Sequence, residues 1–308
     1  MITRKKIILG IILFLFIFSI IDMQQGVLPK RNKSFINIDL ENLGQMNNLE
    51  NFQGTNFGEY EHEVKFKKRE DVSAEDISRL NINNYRGNVF VRGEEQNNIK
   101  VDYEVKLQGN KLQQLEKIKE EVKLETEKNS EQLYIRMKDL KKIEKEYDIK
   151  IITNLEITAP PSMVLALKNQ FGETNLHNWQ NQASIESNFG SVKLDNIEGS
   201  LEIDSRFTQY SITDSQISLA GKLSYGSLEA AEVKGDVNLE ADIAEVSLTL
   251  PPDIEGWGFD VNSINSNITT SRNLTVTRRE SGEYISNTGD EDKPVIRLTN
   301  SYGEIRIK

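Results

Sequence analysis

The side chains in this sequence that could do chemistry are two histidines and a few close acid pairs. His62 lies in the charged stretch EYEHEVK and His177 stands two residues before Trp179. Catalytic zinc needs further nitrogen or carboxylate ligands at a spacing such as H-x-x-x-H, and neither histidine has a partner of that kind. Acyl transfer needs an imidazole beside both a hydroxyl and an acid, which only tertiary folding could bring to His177. Glycosidic cleavage needs two carboxyl groups facing one sugar bond, and Asp195/Glu198 and Asp236/Glu240/Asp242 are available for it. With 22 acidic residues between residues 160 and 308, however, such pairs are expected by chance. Asn178, Asn196 and Asp214 share a column and suit a turn ladder, whereas one Asp with two Asn is a poor calcium ligand set. There is no G-x-S-x-G, no phosphate loop and no dinucleotide fingerprint. These residues lead to a protein that is not an enzyme: no catalytic residue, no cofactor-binding residue, no metal ligand and no cofactor is assigned.

The elements that would have to position any site are more legible. Between residues 165 and 248 the chain repeats every eighteen residues. Phe171, Phe189, Phe207, Tyr225 and Ile243 form an anchor column, mostly followed by Gly; Thr208 and Ala244 depart from that pattern. Four residues earlier stand Leu167, Ile185, Ile203, Gly221 and Leu239; six earlier, Leu165, Ala183, Leu201, Leu219 and Val237. Three later stand Thr174, Val192, Tyr210, Leu228 and Val246; five later, Leu176, Leu194, Ile212, Ala230 and Leu248. A fixed period of this size means stacked supersecondary units. Eighteen residues at ~3.3 Å each trace a coil of about 60 Å, enough for three short strands and their bends. All these columns, the anchor included, are read as inward. The glycines after the anchors, with Gly199 and Gly235, suit bends at positive φ. Lys168, Glu186, Asp204, Lys222 and Glu240 form an outward charged column of surface character. A left-handed hexapeptide helix also has an eighteen-residue coil, but the apolar steps here are not six.

Outside this block, Leu80 to Val91 (LNINNYRGNVFV) can be laid on Val192 to Ile203, with Gly87 on Gly199, as an opening rung of the repeat. An insert of about residues 98–158 follows: an alternating strand from Ile99 to Leu107, a helix through Leu112, Leu115, Ile118 and Val122 that Asn110 could cap, and strands at Leu133–Met137 and Ile149–Ile157. Phe259 to Thr270 recover the columns, Arg278 to Lys293 read as a polar loop, and Ile296 to Ile307 make a closing rung.

The chain has 308 residues, a net charge of −10 and no cysteine. The absent thiols exclude disulfides, cysteine-ligated zinc and a thiol nucleophile. Residues 160–308 carry 22 acidic against 12 basic side chains, which disfavours nucleic acid and anionic lipid. Arg4, Lys5 and Lys6 precede the apolar run Ile7 to Ile21, which reads as a retained membrane anchor or a signal segment and sends the remainder outside. Asn- and Gln-rich sequence follows as a linker.

The rungs LNINNYRGNVFVRG and FGSVKLDNIEGSLEI, the passage LEITAPPSMVLALKNQFGETNL and the closing IRLTNSYGEIRIK resemble the bacterial putative-adhesin domain family, related to the heads of auto-transporter adhesins. The resemblance spans about residues 77–308 and implies a single-chain β-helix, often behind an N-terminal membrane segment, with no catalytic residues to carry over. The expected architecture is therefore all-β: a β-helix of ~18-residue coils with an inserted strand–helix–strand segment and an N-terminal transmembrane helix. Its domains are residues 1–23 as anchor or signal, 24–70 as linker and 71–308 as the adhesin-like domain. The expected function is an extracytoplasmic, single-pass membrane protein that binds or scaffolds, contacting an envelope polymer, a protein partner or itself. The alternatives are a glycan-active hydrolase or lyase and a self-assembling structural protein. An outward aromatic stripe would mark the binding module, an uncapped end rung the assembling one, and a cleft of convergent acids the enzyme.

Overall fold

The computed structural model describes residues 60–308, and the anchor, signal and most of the linker reading fall outside the described residues. Alternation fixes the straight parts of the strands, where buried residues such as Ala183, Ile185 and Ser187 or Val192 and Leu194 sit two apart, as a pleat facing one core demands, and it breaks at the corners between them. Two long faces result.

On the first face, strand β2 (Arg79–Asn84) is followed in space by β8 (Val164–Asn169) and then by β10 (Ala183–Thr213). The first part of β10 lies on this face, where Ala183 pairs with Leu165 and Ile185 with Leu167, in parallel and eighteen residues apart. The ladder continues through a later part of β10 to β11 (Gln216–Ser224) and β13 (Val237–Asp242), at the same spacing. On the second face, β3 (Val89–Gly93) pairs with β9 (Gly172–Trp179), which pairs with another part of β10. Then come β12 (Ser227–Ala230) and β14 (Glu245–Leu248). The eighteen-residue column spacing is thus the parallel pairing register itself. Leucine, isoleucine and valine of the columns four and six before the anchor, and three and five after it, are buried as expected.

The opening rung lies in a different register from the one its sequence suggests. Leu80 pairs with Leu165 and Val89 with Thr174, so Gly87 stands opposite Gly172 rather than in the Gly199 column. Both corners of the coil carry a strand–polar–Gly–strand pattern, so half a turn of slippage leaves the apolar pattern intact.

The insert extends the stack. It runs β4 (Asn98–Gly109), α1 (Leu112–Ile118), β5 (Leu124–Asn129), β6 (Gln132–Met137), α2 (Leu140–Tyr147) and β7 (Lys150–Ala159), more elements than strand–helix–strand. Strand β6 adds in parallel to β2 and β7 to β3, which makes a further rung from Leu133, Ile135, Leu155 and Ile157. Antiparallel strands close that end: β5 on β6, and β4 on β7 with β1 (His62–Ser73) outermost. Strand β1 therefore takes up the last part of the stretch read as linker. Helix α1 packs on β1 and β4 through Leu115 and Ile118, and its N-cap is Lys111; Asn110 instead accepts a hydrogen bond from the Glu61 amide at 3.4 Å.

At the other end, spatial order departs from chain order. Strands β19 (Val295–Ser301) and β20 (Glu304–Ile307) pair with β13 and β14 on one side. On their other side they pair with β15 (Gly258–Ile264) and β16 (Asn267–Thr270). The rung that closes the sequence is thus interior, and the earlier rung of residues 258–270 lies outside it. The stretch read as a polar loop is a hairpin, β17 (Thr277–Arg279) with β18 (Gly282–Asn287), and β18 covers β15 in antiparallel pairing. Its alternation is short and its apolar content small, which hid it. Among the described residues no helix is long and apolar enough to cross a membrane.

Candidate functional site: an outward aromatic ridge

The anchor column does not face the core. Phe189, Phe207, Tyr225 and Ile243 are 51, 48, 47 and 45% exposed, so the expectation of an inward anchor is corrected. Their backbones explain it. These residues themselves, rather than the glycines after them, turn the corner, at φ of 58, 53, 57 and 51°. A left-handed residue between two strands reverses the alternation and throws its side chain outward. The glycine that follows serves a different need: a Cβ on Gly190 would lie 1.9 Å from the Gly172 carbonyl oxygen, and one on Gly226 2.1 Å from that of Thr208.

The rings stack along the pile of rungs. Phe171 to Phe189, Phe189 to Phe207 and Phe207 to Tyr225 have centroids 5.3, 5.0 and 4.9 Å apart, with planes 13, 9 and 13° from parallel. Tyr85 meets Phe171 edge-on at 5.6 Å, with Lys141 and Arg86 over its own ring. The ring faces are consumed by one another, and the ridge presents their edges.

Inside the same corner runs a polar column that the sequence reading passed over: Asn84, Asn169, Ser187, Ser205 and Asn300, all buried. A left-handed turn aims backbone carbonyls inward, where no strand partner reaches them, and a buried acceptor must be met. Asn84 Nδ2 donates to the carbonyls of Gly87 and Thr153, each at 3.2 Å, and Asn300 Nδ2 to that of Ala244 at 2.8 Å. Thr208, which stands where glycine is usual, donates to the Ser187 carbonyl at 2.9 Å. Ser205 meets the Tyr210 hydroxyl, whose pKa burial pushes up. The signal was present, since a small polar residue stands two before each of the first three aromatic anchors.

The opposite corner is an internal control. Asn178, Asn196, Asp214 and Glu232 hold the same backbone conformation, at φ of 55, 55, 48 and 57°. Asn196 Nδ2 donates to Asn178 Oδ1 at 2.7 Å, which forms part of the expected turn ladder. Asn and Asp are among the few residues with a tolerable left-handed backbone.

The residues singled out for chemistry are distributed along the outward faces. His177 Nδ1 lies 2.7 Å from Asp195, whose other oxygen accepts from Thr213 at 2.9 Å. The carboxylate stands between imidazole and hydroxyl, whereas acyl transfer needs the imidazole in the middle. His62 opens β1 opposite Gly109. Asp236 accepts from the Val295 amide at 2.8 Å and Glu240 pairs with Lys222 at 3.0 Å. Lys168 pairs with Glu186 at 2.5 Å, as neighbouring rungs allow. Among the described residues no group of three or more His, Asp or Glu is placed to hold a metal.

No family model matches this chain, and no curated protein matches it in sequence. Among solved structures it is similar to a "putative cell adhesion protein" from Clostridium sporogenes, at 12% identity over 80% of this chain and 99% of that one, with a TM-score of 0.36. It is similar also to a "putative adhesin" from Bacteroides fragilis, at 11% identity over 80 and 98% of the two chains, TM-score 0.39. A "putative lipid binding protein" from Parabacteroides distasonis shares 13% identity over 79 and 96%, TM-score 0.36. At this level of similarity the function has to come from the chain's own geometry.

Proposed function

We propose that this chain is a non-enzymatic, membrane-anchored binding module of the cell envelope, adhesin-like in role. In this reading residues 1–23 hold it at the membrane, residues 60–308 form a single-chain β-helix outside, and the aromatic ridge is the contact surface. One observation carries the proposal: bulky apolar residues occupy four successive left-handed, solvent-facing positions, where the opposite corner uses mainly Asn and Asp. A non-Gly residue there costs ~1–2 kcal/mol, and for β-branched Ile243 the conformation is an outlier. Ring stacking returns about 0.5–1.5 kcal/mol per pair beyond the area the rings bury in one another, while Ile243 bears the same backbone strain beyond the last stacked ring. The apolar edges gain their value when a partner covers them.

The competing readings fit less well. Three of the candidate acids are tied to neighbours: Asp195 to His177 and Thr213, Asp236 to the Val295 amide and Glu240 to Lys222. Self-assembly through open sheet edges is opposed at both ends. Strand β1 carries Lys65, Lys67, Lys68, Arg69, Glu70 and Asp71, a charged guard against edge pairing. At the other end the Ile268 amide of β16 is taken by Glu283 at 2.7 Å.

The full chain, immobilised and challenged with envelope fractions, should retain a partner that the triple variant Phe189→Asn, Phe207→Asn, Tyr225→Asn loses at unchanged circular dichroism. Equal retention by both proteins would remove the ridge from the function, and release of sugars from cell-wall polysaccharide would restore the enzyme reading.

A further inference from the structure

Beside the ridge lies a groove of about 920 Å³ that follows the stack across successive rungs. One wall is the ridge: Phe207, Tyr225, Ile243 and Tyr302. Its floor is Gly226, Ala244 and Gly303, where side chains are small because the neighbouring backbone is close. The other wall carries Gln209, Ser227, Glu245 and Glu304. We propose that this groove binds an extended, cationic segment of a protein partner, with apolar side chains on the ring edges and Lys or Arg side chains on Glu245 and Glu304. The inference rests on the ridge being the contact surface and adds what that surface selects.

Three features point to this class of ligand. Phe207 is stacked on both sides, with planes 9 and 13° from parallel, so it offers a ligand its edge and no face for a sugar ring to lie on. Glu245 and Glu304 line the groove, which repels an anionic lipid surface and attracts a cation. Arg306 partly balances the wall by pairing with Glu304 and reaching within 3.8 Å of Glu245. An incoming guanidinium or ammonium group therefore has both carboxylates to exchange for. The dimensions agree as well: four rungs about 4.8 Å apart span ~15 Å, and an extended peptide at ~3.3 Å per residue covers that with about five residues. A short segment suits the groove.

The test measures anisotropy of a labelled, alternating Leu-Lys decapeptide with the full-length protein, against the matching Leu-Glu decapeptide. The Leu-Lys peptide should bind at least about tenfold more tightly. Glu245→Gln with Glu304→Gln should weaken it by about five- to tenfold and flatten its salt dependence. Phe207→Asn with Tyr225→Asn should weaken it at least about tenfold. Glu198→Gln with Asp214→Asn, distant from the groove, should leave binding unchanged and exclude a general effect of the acidic surface. Equal affinity for both peptides, or equal loss in the distant variant, overturns the proposal. So does displacement of the Leu-Lys peptide by chitohexaose or by phosphatidylcholine vesicles. If the peptides fail while the triple ridge variant still loses envelope capture, this inference falls and the ridge as contact surface stands.

Discussion

At the residue scale, the most informative positions are those where local preference and observed residue disagree. Phe207 sits at φ 53°, between two stacked rings and nearly half exposed. Phe207→Asn exchanges two stacking contacts for a residue suited to the left-handed backbone. Two stacking contacts of about 0.5–1.5 kcal/mol each, with the ring's half-buried area, oppose the relief of ~1–2 kcal/mol of backbone strain, so chemical denaturation should show a loss of no more than about 2 kcal/mol. A buried phenylalanine would cost ~3–5 kcal/mol, so a loss of that size would mean that the ridge is structural and not a contact surface. His177 illustrates the converse. Its acid partner Asp195 stands eighteen residues on, one rung away, so the repeat spacing itself supplies the pair. The resulting order of groups still does not make a nucleophile.

At the level of elements, the outermost strand β16 depends on one carboxylate. Glu283 is 9% exposed; it accepts from the Ile268 amide, which holds its pKa below the ordinary 4.5, with Arg278 beside it at 2.8 Å reinforcing the shift. A carboxylate whose pKa is lowered by folding stabilises fully above its unfolded value. That contribution is lost as pH falls through the lowered value. Thermal unfolding should therefore show stability declining from about pH 4.5 downward, part of which Glu283→Gln abolishes. At neutral pH the same variant should cost about 1.5–3 kcal/mol, the range for hydrogen bonds to a charged group. An unchanged acid limb in the variant would assign the loss to other carboxylates. The insert teaches a related lesson: its strands carry ordinary alternation, and nothing in that pattern says that β6 and β7 will extend the first rung.

For the whole molecule, the decisive fact is that residues 295–307 lie between two other rungs. Deleting residues 288–308 should not merely shorten the stack by one rung. It should strip the rung of residues 258–270 and its covering hairpin of their pairing partners, and expose Phe259, Val261, Leu239 and Val246 together. Hydrogen exchange should then show loss of protection from residue 237 onward. Protection retained through residues 258–270 would mean that this rung can close directly onto β13.

The sequence by itself determined the period of eighteen, the buried columns, the outward charged pairs Lys168–Glu186 and Lys222–Glu240, and the placement of residues 258–270 and 295–307 as rungs. These follow from alternation and register, which each rung expresses locally because its side chains must face the same core as those of the next. Only the tertiary structure decided which corner the opening rung begins at, since both corners read alike, and which rung is outermost, since pairing partners are chosen in space. It also decided the direction of the anchor column. An apolar residue in a repeat reads as core, and only the left-handed backbone at Phe189, Phe207, Tyr225 and Ile243 turns it outward.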